Sequence, residues 1–261
     1  MFGGRASCLS AGGPTLDAVH PLERLRYVAR NPVGRVQPLI EESASALASL
    51  AHDRRSLLSA CRRLLERRGY CGPLVWMAAR MVAAVDCHDE VIDIVNAMDC
   101  DTAAWKLNDG LVALSDDFTA LKVVAVGDVA GVDVIMYITP DWACTGPEDP
   151  GRAAEVDVVL VASDCAGPRE ALVPVGALPV VETAQQAGTP VWLVTEAGRM
   201  LPGAMWDLLS KQFVTDDLME LGLAVLDVER FVDRVVTPSG MYTPAEAGRA
   251  SDCPVVPELF A

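Results

Sequence analysis

The sequence predicts an α/β protein, with a helical N-terminal domain followed by a Rossmann-like domain built on a mostly parallel sheet. Three observations carry this. Apolar residues recur at helical spacing from Pro21 to about Asn96. After about Asp109 the period changes to short, nearly continuous β-branched runs, the pattern of strands covered on both faces. Helical segments then alternate with those runs, as a doubly wound sheet requires.

The elements follow in chain order. Residues 1–20 contain Gly, Ser and Pro and are read as a flexible N-terminus. Residues 21–108 form the helical domain. Within it, "ALASLAHDRRSLLSACRRLLERRG" places Leu47, Leu50, Leu57, Leu58, Cys61, Leu64 and Leu65 at helical intervals, and Gly69 stops the run. "GPLVWMAARMVAAV" begins another helix with Pro73 in its first turn, where proline is tolerated. A further helical run covers about His88 to Met98. Residues 109–261 form the α/β domain. Its predicted strands are Leu111 to Leu114, Val132 to Thr139, Val156 to Ala162, Val191 to Thr195 and Leu223 to Val228. Its predicted helices are "PVVETAQQAG", "MWDLLSKQF" and "ERFVDRVV".

Composition excludes several classes. The chain has 261 residues, is 51% hydrophobic and carries a net charge of −15. That charge argues against nucleic acid as the main partner. The charge is uneven: residues 1–80 hold 12 Arg and 6 acids, whereas residues 81–261 hold 9 basic residues and 30 acids. Three Arg pairs, Arg54-Arg55, Arg62-Arg63 and Arg67-Arg68, form either a solvated basic face or a partner surface. No apolar run reaches the roughly 20 residues that span a bilayer, and no signal-peptide core is evident, so a cytoplasmic protein without membrane contact is expected. The 8 Cys are scattered without a CxxC pair. "DCHDE" (Asp86 to Glu90) reads as a helix turn, and no metal is expected.

In a doubly wound sheet, ligands bind outside the carboxyl ends of the strands. Four loops follow predicted strands and meet at that edge: "SDDF" from Ser115, "TPDWACTG" from Thr139, Asp164 after "VDVVLVAS", and "TEAGR" from Thr195. Asp164 either works on a ligand or caps the turn that follows it. Cys165 would face the other way and pack. Cys144, beside Trp142, is either a reactive loop thiol or a packed one. Arg169 could hold an anion or lie exposed in a turn. Ser115, Asp116 and Arg199 are candidates by topology. The Gly-rich dinucleotide fingerprint and the GxxxxGK[ST] phosphate loop are both missing, so no nucleotide cofactor is expected.

Four stretches carry a resemblance across much of residues 70–244. "GPLVWMAARM", "VDVVLVASD", "VGALPVVETAQQAGTPVWLVTE" and "LDVERFVDRVVTPSGMYTP" occur in that order. Together they are similar to the family that joins methylthioribose-1-phosphate isomerase, ribose-1,5-bisphosphate isomerase and the regulatory subunits of initiation factor 2B. The resemblance implies a proton-transfer role for Asp164, a ligand role for Gly176 at the start of the Gly-Thr helix, a small phosphorylated ligand and a homodimer. The departures are equally specific. Gly72 stands where the isomerases have a substrate-holding Arg, Val173-Pro174 replaces Asn-Lys, and "LSDDF" lacks their catalytic Cys, for which Cys144 is the candidate substitute. The expected function is a divergent, sugar-phosphate-isomerase-like bacterial enzyme with Asp164 and Cys144 as its reactive groups. The alternative is a non-catalytic metabolite- or protein-binding relative of the initiation-factor subunits.

Overall fold

The computed structural model describes residues 23, 25, 36–114, 121–130 and 150–261. From Val36 onward five helices follow one another: α1 (Val36–Ala48), α2 (Arg54–Arg68), α3 (Gly72–Ala83), α4 (Cys87–Asp99) and α5 (Ala103–Leu114). Local chemistry sets their limits. Asp53 caps α2, its carboxylate accepting from Arg55 N at 3.0 Å, and so divides one predicted leucine-rich run into two helices. Asp86 caps α4 in the same way, so "DCHDE" is a helix start. Pro73 lies in the first turn of α3.

The α/β part contains β1 (Val123–Val126), β2 (Val158–Ala162), β3 (Cys165–Ala166), β4 (Glu170–Pro174), α6 (Ala177–Ala187), β5 (Val191–Val194), α7 (Gly203–Leu209), α8 (Thr215–Glu220), β6 (Leu223–Asp227), α9 (Val228–Phe231), β7 (Arg234–Thr237), β8 (Gly240–Tyr242) and α10 (Pro244–Ala250). A 5-stranded sheet has the order β1-β2-β5-β7-β8. Its first four strands are parallel, and only β7–β8 is antiparallel. A second, antiparallel sheet has the order β3-β4-β6.

Alternation along the strands builds two cores. Val158, Leu160 and Ala162 of β2 face one side, with Leu107 and Leu111 of α5. Val159 and Val161 face the other, with Val180, Val181 and Ala184 of α6. A third core joins α1 to α4 with Cys165, Leu172, Met205 and Trp206. β2 and β5 are buried on both faces along their whole length, which is why they read as unbroken apolar runs.

Three expectations are corrected. Leu111 to Leu114 is helix, because Leu107 and Leu111 lie four apart and turn one stripe onto the sheet. "ERFVDRVV" divides into the short α9 and strand β7, since Asp233 holds Val191 N at 2.8 Å and brings Arg234 onward into the sheet. Leu223 to Asp227 is a strand, but it pairs with β4 in the antiparallel sheet. The predicted strand Val132 to Thr139 lies outside the described residues. Among the described residues no helix is long and apolar enough to cross a membrane.

Candidate functional site at the carboxyl edge of the parallel sheet

Three neighbouring parallel strands each reach an acid two residues beyond their last paired position. β1 ends at Val126 and leads to Asp128, β2 ends at Ala162 and leads to Asp164, and β5 ends at Val194 and leads to Glu196. Because Ala162 is opposite Val194, Asp164 and Glu196 leave the sheet in step. Gly127 makes the exit from β1 at φ 84°, and a side chain there would meet Ala162 Cβ and Pro174 Cγ at 3.0 Å. The α6 helix is the crossover from β4 to β5, so its N-terminal end, at Gly176, is on this same edge.

Asp164 stands where the chain leaves the parallel sheet for the antiparallel one. Its backbone is fixed at both groups: its N–H donates to Leu172 O at 2.9 Å, and its carbonyl accepts from Gly72 N at 3.0 Å. The turn after it is satisfied elsewhere, Ala166 N by Arg199 O at 2.8 Å and Gly167 N by Glu170 O at 2.8 Å. The Asp164 carboxyl makes no hydrogen bond with another described residue, which decides against the capping role. Burial pushes this carboxyl above the usual carboxylate range, and nearby Arg199 offsets part of that rise.

Arg199 lies in the loop after β5. Its side chain is 14% exposed and forms an ion pair with Glu196. Nη1 donates to Ser163 O at 2.7 Å, while Nε is buried and has no partner among the described residues. Glu196 is also pushed up, chiefly by burial, with Asp101 and Asp128 adding like charge and Arg199 opposing them. The loop is pressed onto α3 at two glycines. A Cβ on Gly72 would lie 2.8 Å from Asp164 O, 3.0 Å from Arg199 Cα and 3.2 Å from Cys165 Cα. Gly198, at φ 73°, faces Trp76 and the Pro73 backbone. Gly72 therefore fills the role of a spacer: the backbone of Asp164 and Arg199 occupies the room an arginine side chain would need to leave α3.

The expected site residues are only partly brought together. Asp164 and Arg199 adjoin, and Gly176 shares their edge. Arg169 is turned away in an exposed ion pair with Asp207 at 2.7 Å. Ser115, Asp116 and Cys144 lie outside the described residues. Cys165 is fully buried, as expected of a packed thiol, and burial raises it well above its ordinary value. Burial raises the Cys71 thiol as well, so neither is an activated nucleophile. Among the described residues no group of three or more His, Cys, Asp or Glu is placed to hold a metal. Glu196 and Asp128 were missed in the sequence, although "VVAVGD" and "WLVTE" repeat the strand-then-acid pattern of "VLVASD".

No protein-family model and no curated protein matches the chain in sequence. Solved structures do match in three dimensions. The beta subunit of initiation factor 2B from Chaetomium thermophilum superposes with a TM-score of 0.63 at 12% identity, over 91% of this chain and 92% of that one. The chain has the fold of the initiation factor 2B subunits. A chain of the tetrameric beta2-delta2 complex from C. thermophilum matches with a TM-score of 0.62 at 13% identity, over 87% of this chain and 92% of that one. The Pyrococcus horikoshii translation initiation factor eIF-2B matches with a TM-score of 0.63 at 12% identity, over 86% of this chain and 97% of that one. At such identities the likeness is one of fold, and it accords with the architecture expected from the four sequence stretches.

Proposed function

We propose that this initiation-factor-2B-like protein is an isomerase-like enzyme in which Asp164 moves a proton on a small hydroxylated carbonyl metabolite. The observation that carries this reading is the Asp164 carboxyl itself: recessed, raised in pKa, without a hydrogen-bonding partner among the described residues, and beside a guanidinium. A carboxyl whose pKa is raised by burial is a stronger base when ionised, and it can take a proton and return it, as aldose–ketose interconversion requires. Arg199 supports it by supplying positive charge as an enediol oxygen becomes negative. The cations with which the resemblance would hold a phosphate are missing, since Gly72 and Val173-Pro174 stand in their places. The substrate is accordingly a relative of a sugar phosphate, with Arg199 and the N-terminal end of α6 as the remaining anchors for an anionic group.

The reaction class can be tested without knowing the product. The protein is incubated in D2O with a panel of aldoses, ketoses and their phosphates, and deuterium uptake at carbon next to the carbonyl is followed by NMR. Uptake from at least one compound supports the reading. Absence of uptake across the panel, with ligand binding retained, supports the second reading, a binding protein. That second reading is favoured by the solved neighbours, which include a tetrameric complex of initiation factor subunits. Either way the protein is proposed to work as a homodimer, and light scattering at micromolar concentration is expected to give the mass of two 27.8 kDa chains. A one-chain mass would remove the dimer from the proposal.

A further inference from the structure

Among the described residues, Arg199 is the charged group that bears on the Asp164 carboxyl. The two residues are anchored close together. Asp164 O and Arg199 Cα lie 2.8 and 3.0 Å from one point, the place of a Cβ on Gly72. Even so, the Asp164 carboxyl receives no hydrogen bond from the guanidinium. The guanidinium is taken up elsewhere. Its Nη1 is bonded to Ser163 O at 2.7 Å, and its Nη2 forms the ion pair with Glu196.

The loop backbone is fixed without the Glu196 side chain. Arg199 O accepts from Ala166 N at 2.8 Å, and Arg199 N donates to Glu196 O at 3.1 Å. Thr195 N donates to Val236 O at 2.8 Å, and Ala197 N donates to Asp101 Oδ2 at 2.7 Å. Asp101 spends its other oxygen on Ala103 N at 2.8 Å, so it does not compete for Arg199. Only the guanidinium is left to be placed. Of its two anchors, Ser163 O is neutral and Glu196 is charged. A charge-assisted contact is roughly twice as strong as a neutral one, so Glu196 decides where the guanidinium rests.

We infer that Glu196 is a positioning residue: it holds the Arg199 guanidinium against the Ser163 carbonyl and off the Asp164 carboxyl. Its value to the reaction rests on the reading of Asp164 as the proton-transfer group. A carboxylate bonded to a guanidinium is a weaker base. One held just apart from it keeps its basicity, and the cation stays at hand for a developing oxyanion. Asp101, Asp128 and Arg199 are the charges that face Glu196. Of these, Arg199 also faces Asp164, so it is the link between the two carboxyls.

The test follows the Asp164 carboxyl by carbon-detected NMR and needs no substrate. In Glu196→Ala the released Nη2 is expected to turn to Asp164, and the Asp164 titration should move to lower pH. Glu196→Gln keeps an acceptor for Nη2 without the charge, and it is expected to move the titration less. In an Arg199→Met background, Glu196→Ala is expected to leave the titration where Arg199→Met alone puts it, because the guanidinium is gone. Direct repulsion between the two carboxylates would persist in that background, so the comparison separates it from positioning. The inference is overturned if Glu196→Ala leaves the titration unmoved or raises it, or if the fall is equal in both backgrounds. The expected shifts without any deuterium exchange would sink the proton-transfer reading and leave the placement of Arg199 by Glu196 standing.

Discussion

Asp164→Asn is expected to reduce deuterium exchange by about 10²–10⁴-fold while leaving the fold intact. The two parts of this result have separate causes. Exchange falls because the amide cannot accept and return a proton at neutral pH. The fold persists because Asp164 is anchored by its backbone, through Leu172 O and Gly72 N, and the carboxyl bonds no described residue. The effect on stability has a definite sign. Burial raises the Asp164 pKa in the folded state. The stability this gives is therefore fully present only below the unfolded value, and is lost as pH rises through the folded value. At pH 7 the wild type bears a recessed charge that the amide avoids, so the variant should melt at an equal or higher temperature. Its relative advantage should shrink as pH falls through the folded value and be gone below the unfolded value, about 3.9, where the wild-type carboxyl is protonated in both states. Chemical denaturation at pH 7 and pH 4 checks the sign. A large loss of stability at pH 7 would show that the carboxyl is structural.

Gly72→Arg is expected to cost about 3 kcal/mol or more and to lower the melting temperature by about 6–12 °C. The substitution restores the residue type found at this place in the isomerases that the sequence resembles. It fails here because the obstacle is backbone on every side: the Asp164 carbonyl at 2.8 Å, Arg199 Cα at 3.0 Å and Cys165 Cα at 3.2 Å from a Cβ. None of these can swing aside as a side-chain tip would. Gly72→Ala separates the causes, since it carries the Cβ without the guanidinium, and most of the loss should already be present in it. A melting temperature within about 2 °C of wild type for both variants would show that the loop at Arg199 yields easily and that Gly72 is not a spacer.

The legibility of the sequence divides along physical lines. Elements fixed by local chemistry were readable. The α3 start at Pro73, the α4 run and the end of α6 at Gly188, with φ 77°, all follow from residues within one turn. β2 and β5 were readable because they lie at the centre of the sheet, buried on both faces. The antiparallel sheet was hidden because its strands are set by partners far along the chain. β4 at Glu170–Pro174 ends in a proline and alternates only weakly, and it is fixed by β6, whose first residue, Leu223, pairs with Pro174. Leu111 to Leu114 misled because four apolar residues suit a strand as well as a helix, and the arbiter, Leu107 one turn earlier, lies before the supposed change of period.

The site shows the same division. Asp164 could be found because it ends an unbroken apolar strand. Whether it caps or binds could not, since that depends on Arg199 and Glu170 carbonyls satisfying the turn from elsewhere in the chain. Arg169 looked equivalent to Arg199 in the sequence. Its pairing with Asp207 on α7 takes it out of the site, a contact no local pattern announces. Gly72 was recognised as a lost arginine, but its positive role as a close-contact position appears only with the loop packed against α3.

The most direct measurement of the central claim is the titration of the Asp164 side-chain carboxyl by carbon-detected NMR, with Asp164→Asn supplying the assignment. The proton-transfer reading predicts a carboxyl that titrates above the ordinary aspartate value near 3.9, because burial outweighs the attraction of Arg199. Replacing Arg199 with Met should raise it further, since that attraction is then gone. A carboxyl that titrates at or below the ordinary value would mean a hydrogen-bonded or fully ion-paired Asp164, and would contradict its assignment as the proton-transfer group.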